Sequence, residues 1–157
     1  MISEIKTISA KKFIGLNLNM SFIDNKTAEL WRGFMPRRKE IANTISNDMY
    51  SLQVYDENFF SQFNPATEFK KWALVEVTNL STIPENMETF ELEGGMYAVF
   101  YYKGNPANAA QVFSYIMQEW LPQSGYTLDN RPHFEVLGDK YKNGSNESEE
   151  EIWIPVR

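Results

Sequence analysis

The chain of 157 residues has a single histidine, His133, and no cysteine. Those two counts remove most familiar catalytic chemistry. There is no thiolate nucleophile, no Cys-ligated zinc and no site built on two imidazoles. A Ser-His-Asp triad would have to use His133, and no serine stands in a nucleophile elbow near it. Neither a G-x-x-x-x-G-K-[ST] nor a G-x-G-x-x-G loop occurs; Gly94-Gly95 is an isolated pair that reads as a turn. The carboxylates of 147–151 lack EF-hand spacing, so neither a metal nor a cofactor is expected. The reactive groups that remain are carboxylates and tyrosine hydroxyls.

Among the carboxylates, Glu135 stands apart because it falls between Phe134 and Val136 in an apolar run. Strand alternation lets it point to solvent, opposite its two neighbours. It can also form the floor of a cleft. Burying it unpaired would be costly or would drive it neutral. A cationic ligand would relieve that penalty, with each aromatic face adding roughly 0.5–2 kcal/mol of cation–π attraction. Aromatic residues supply 15% of the chain, enough both to fill a small core and to line a pocket.

The formal net charge of −6 argues against nucleic acid as the main partner. Much of that charge lies in Asn146-Glu147-Ser148-Glu149-Glu150-Glu151, which reads as a solvated loop before the last strand. Arg37-Arg38-Lys39 near Arg32 reads as the exposed C-terminal half of a helix. The first fifteen residues lack the apolar core of a secretory signal, and no apolar run is long enough to span a bilayer, so a cytoplasmic chain without a membrane role is expected.

The elements that must position these groups follow from periodicity. Phe13 to Met20 alternates as a half-buried strand, and Asp24-Asn25 offers a helix cap. Leu30, Trp31, Phe34, Met35, Ile41 and Ile45 then recur at helical spacing, interrupted at Pro36. Tyr50–Tyr55 and Trp72–Val77 read as strands, joined by a loop whose Phe59, Phe60 and Phe63 fold over the core. The segment from Asn79 to Glu88 is the connector. The order then repeats: a strand over Met96–Tyr102, and a helix from Asn105-Pro106 that Pro122 and Gly125 close. Strands over Phe134–Leu137 and Ile152–Val156 complete the chain. An offset of 82 residues lays Leu30, Trp31, Phe34 and Met35 on Val112, Phe113, Ile116 and Met117, and Leu52-Gln53-Val54 on Phe134-Glu135-Val136. The predicted architecture is α+β: one domain over 1–157 made of duplicated βαββ units, about 1–80 and 88–157. They are related by a pseudo-twofold axis, with an antiparallel sheet and a central ligand cleft.

Tyr97-Ala98-Val99-Phe100-Tyr101-Tyr102-Lys103-Gly104, Glu119-Trp120-Leu121-Pro122-Gln123-Ser124-Gly125-Tyr126, Arg131-Pro132-His133-Phe134-Glu135 and Glu151-Ile152-Trp153-Ile154-Pro155-Val156 resemble a GyrI-like effector-binding domain. This is the sensor module of many AraC- and MerR-type regulators, also found free-standing. Trp31–Arg38 and Ser51–Tyr55 resemble a branch of the same family. The resemblance implies a cleft for hydrophobic, often cationic, small molecules, with an acidic residue at the Pro-x-x-Glu position, here Glu135, and an aromatic from the closing strand, here Trp153. Aromatic character and strand placement add Tyr55, Trp72, Tyr97 and Trp120 as candidate walls. Two departures stand out. No helix-turn-helix fits before residue 13, so no direct DNA contact is expected, and Lys103-Gly104-Asn105-Pro106 replaces the Gly-Pro-Tyr of many members.

The leading expectation is a free-standing protein that senses or sequesters a hydrophobic, cationic ligand. An alternative is a hydrolase of strained, cyclopropane-bearing toxins, with Glu135 as base and a tyrosine such as Tyr97 as proton donor. A further alternative is a modulator that meets a protein partner through its acidic segment.

Overall fold

The computed structural model describes residues 1–157. Its strands are β1 (Ile2–Ile8), β2 (Lys11–Met20), β3 (Met49–Val54), β4 (Phe69–Val77), β5 (Glu88–Leu92), β6 (Gly95–Lys103), β7 (His133–Leu137) and β8 (Glu149–Pro155). The helices are α1 (Thr27–Phe34), α2 (Ala109–Tyr115) and α3 (Leu121–Ser124). A 3₁₀ turn at Met35–Glu40 extends α1, and a π turn at Ile116–Trp120 joins α2 to α3.

Local chemistry sets the helix ends. Asn25 accepts the Thr27 N–H at 2.9 Å ahead of α1, and Asn105 accepts the Ala107 N–H before α2. Pro36 sits in the first turn of the 3₁₀ segment, where its missing N–H costs least. The first helix is therefore shorter than its apolar spacing predicts: Ile41 stays buried just beyond it, while Ile45 is exposed and bonds the edge of β4 through Glu76. The second continues past Pro122 to Ser124, and Gly125 ends it at φ +81°.

All eight strands form one antiparallel sheet in the order β1-β6-β8-β7-β3-β4-β2-β5. The two edge strands, β1 and β5, were not expected from the sequence. Half of the acidic run also departs from the expected loop: Glu149, Glu150 and Glu151 pair in β8 with Lys103, Tyr102 and Tyr101. Their backbone bonds outweigh a local preference for solvent, and Glu151 accepts the indole N–H of Trp153 at 2.9 Å.

Exchanging the two halves leaves the strand order unchanged. At the centre Leu52 faces Phe134, with Ser51 opposite Glu135 and Gln53 opposite His133. The interval of 82 positions that separates Gln53 from Glu135 converts one flanking pair into the other. It also separates the starts of α1 and α2. Trp72 pairs with Leu52 as Trp153 pairs with Phe134.

Each helix covers only its own side of the sheet. Leu30 and Phe34 of α1 pack on Ile14, Ala73 and Val75 of β2 and β4. Ile116, with Phe113, Trp120 and Leu121, packs on Ala98, Phe100, Ile152 and Ile154 of β6 and β8. The opposite face carries Phe13, Leu52, Trp72, Leu74, Tyr97, Val99, Phe134 and Trp153, which form the largest buried cluster.

Candidate functional site

Between the two helices the middle strands, β3 and β7, present a floor on which apolar residues are missing. Alternation turns Leu52, Phe134 and Val136 to the far face and Ser51, Gln53, His133 and Glu135 towards the helices. Ser51, Gln53 and His133 are each at most 5% exposed, so most of the molecule's buried polar side chains gather here. A polar floor in a place suited to core packing is unfavourable for folding unless it is used or internally satisfied.

The satisfaction is incomplete. The Gln53 amide donates to Glu135 Oε1 at 3.2 Å. Lys71 stands opposite Gln53 on β4, and Glu150 lies two residues before Ile152, the partner of Glu135 on β8. Burial raises the Glu135 carboxyl above its usual range, while Lys71 and the Gln53 bond pull it back. Burial together with the Glu135 charge pushes Glu150 up to about 7. Burial also lowers the Lys71 ammonium against the pull of both carboxylates. Two carboxylates thus lie in the field of one ammonium, which forms no ion pair with either. His133 stays neutral, its pKa pushed down to about 3 by burial, and its Nδ1 has no hydrogen-bond partner.

Aromatic rings close over this floor. Tyr55 meets His133 edge-on at 4.9 Å, Phe60 stacks on it at 5.4 Å, and Phe113 of α2 lies 6.2 Å away. Phe60 and Phe113 touch each other at 5.8 Å, bridging the loop after β3 to the second helix. Burial and the Glu135 charge raise the Tyr55 hydroxyl well above its normal pKa, so it stays protonated as a donor. Two cavities flank the site. One of about 410 Å³ is lined by Tyr55, Phe60 and His133, with Arg131 and Arg157 on its wall. The other, about 340 Å³, is lined by Glu150, Val136 and Gly138. Glu135, between them along β7, lines neither.

Of the residues singled out from sequence, the structure brings Glu135 and Tyr55 to this face. Trp153, Trp72 and Tyr97 lie on the other one. Trp153 stacks on Phe134 at 5.1 Å, Trp72 packs on Phe90 at 5.2 Å, and the Tyr97 hydroxyl donates to the Pro132 carbonyl at 2.8 Å. Trp120 is on the helix side but packs edge-on against Phe100 beneath the second helix. Lys71, Glu150, His133, Phe60 and Phe113 were not singled out as site residues. Lys71 did carry a signal: alternation puts it on the same face of β4 as Ala73, Val75 and Val77, which are core.

The fold, the helix-flanked polar floor and the sequence agree with one family. The profile of the GyrI-like small molecule binding domain matches residues 1–157, and the chain belongs to that family. It is 26% identical over 145 residues to the transcriptional regulator BrlR of Pseudomonas aeruginosa, covering 91% of this chain and 51% of the regulator. It is 32% identical over 98 residues to a DNA gyrase inhibitor of Erwinia billingiae, covering 59% of this chain and 61% of the inhibitor. The chain thus spans about half to three fifths of the length of these curated relatives. Among solved structures, SAV2435 bound to tetraphenylphosphonium superposes with a TM-score of 0.72 at 18% identity, covering 100% of this chain and 94% of that one. No helix is long and apolar enough to cross a membrane.

Proposed function

We propose that the protein binds a hydrophobic, cationic small molecule in the groove between its two helices, over the floor formed by β3 and β7. The observation that carries this reading is Glu135: half-buried, hydrogen-bonded by one amide, and with no ion-pair partner, the one nearby ammonium, Lys71, acting also on Glu150. A bound cation adds the missing positive charge, and Tyr55, Phe60 and Phe113 supply faces for its apolar body. The tetraphenylphosphonium held by SAV2435 has this chemistry, which supports a lipophilic monocation as the ligand class.

A hydrolytic role that pairs Glu135 with Tyr97 gains no support from the geometry, since the two side chains lie on opposite faces. Thermal unfolding against a panel of lipophilic cations, neutral isosteres and anions tests the binding reading. Cations at a hundred times their dissociation constant should add about 2.7 kcal/mol of stability. A panel in which neutral isosteres stabilise as well as cations would contradict the role given to the carboxylates.

A further inference from the structure

The edge strand β1 reads Ile2-Ser3-Glu4-Ile5-Lys6-Thr7-Ile8, and one of its sides is hydrogen-bonded to β6 while the other is bare. Reversed about Ile5, the strand matches itself position by position. Ile2 falls opposite Ile8, Ser3 opposite Thr7, and Glu4 opposite Lys6. We propose that β1 pairs antiparallel with β1 of a second copy about a twofold axis through Ile5, joining two eight-stranded sheets into one.

Three observations favour a second copy as the occupant of this edge. The first is charge. Glu4 and Lys6 project to the same face of β1 and contact each other at 3.3 Å within one chain, with 49% and 41% of their side chains exposed. An antiparallel copy centred on Ile5 sets each opposite its complement, giving two cross-strand ion pairs. The second is register. Centring the pair on Glu4 places Glu4 against itself, and centring it on Lys6 places Lys6 against itself, so both neighbouring same-facing registers are repulsive. The third is exposed apolar surface. Ile2 is 74% exposed and Ile5 is 37% exposed, and both fall inside the pairing. The other edge lacks these properties: β5 reads Glu88-Thr89-Phe90-Glu91-Leu92, with two acids and no base. Edge strands without protection are aggregation hazards, and an isologous pair closes the edge instead of propagating it.

Sedimentation equilibrium of the full chain over a range of concentrations provides the test, with circular dichroism verifying that each variant is folded. The wild type should show a reversible monomer–dimer equilibrium. Lys6→Glu, which sets four acids along the junction, should raise the dimer dissociation constant at least tenfold. The exchange Glu4→Lys with Lys6→Glu should restore it to within about threefold, because the swapped strand is again self-complementary. Both changes abolish the native contacts of Lys6 with the Tyr101 and Trp153 rings, so a merely structural effect would leave the exchange as weak as the single variant. If Lys6→Glu fails to fold, Lys6→Gln carries the comparison, with a smaller loss expected. A wild type monomeric at every concentration would overturn the proposal. So would a dimer indifferent to these changes, or an exchange that fails to restore it.

Discussion

Glu150 and Glu135 give the site a pH dependence whose sign differs between folding and binding. Glu150 rises from its ordinary value of 4.5 to about 7 in the folded chain, through burial and the charge of Glu135. Between those values the folded state holds its proton more tightly than the unfolded chain does. Stability from this group is therefore fully present below pH 4.5 and is lost as pH rises through 7. Glu150→Gln should accordingly be more stable than wild type at pH 8, with the difference closing towards pH 4.5; urea denaturation at the two values measures it. Affinity for a lipophilic cation should move the other way, weakening as pH falls through 7 and Glu150 loses its charge. Titration calorimetry at pH 8 and pH 5.5 checks that sign. The sequence made Glu135 conspicuous because a charge broke an apolar run. It gave no comparable sign for Glu150, hidden in an acidic stretch whose second half turns out to be strand β8.

The elements decide which aromatic rings meet that carboxylate. Residue type alone cannot separate the two faces of a strand, and one step of alternation places Phe134 and Trp153 opposite Glu135. Phe113→Ala should weaken cation binding about tenfold or more. Trp153→Phe should leave affinity within about twofold while lowering stability, because Trp153 is 8% exposed and stacked on Phe134. Calorimetry and denaturation on both variants separate site from core. The close approach of β2 to β4 offers a test of packing. A Cβ on Gly15 would stand 1.9 Å from the Ala73 carbonyl oxygen, so Gly15→Ala must displace backbone. It should cost about 1–3 kcal/mol or more, read as a lowered denaturation midpoint. Six of the eight strands, and the approximate start of each long helix, were legible from period-2 and helical spacing. The edge strands β1 and β5 were not: the isoleucines of β1 recur every third residue, and β5 offers only Phe90 and Leu92, so each is specified by its partner β6 or β2.

Across the whole molecule the recurring interval of 82 residues, seen first as a match of apolar patterns, reappears in the register at the centre of the sheet. Matched positions carry different chemistry: Gln53 in one half corresponds to Glu135 in the other. The two halves thus place unlike charges around the floor, the Lys71 ammonium from β4 and the Glu135 and Glu150 carboxyls from β7 and β8. Calorimetric titration of tetraphenylphosphonium into wild type and Glu135→Gln at pH 8 tests whether this carboxylate holds the cation. Saturable binding to the wild type, weakened at least tenfold in the isosteric variant with its fold intact, is the expected result. Equal affinity in the two proteins, or no binding to either, would contradict it.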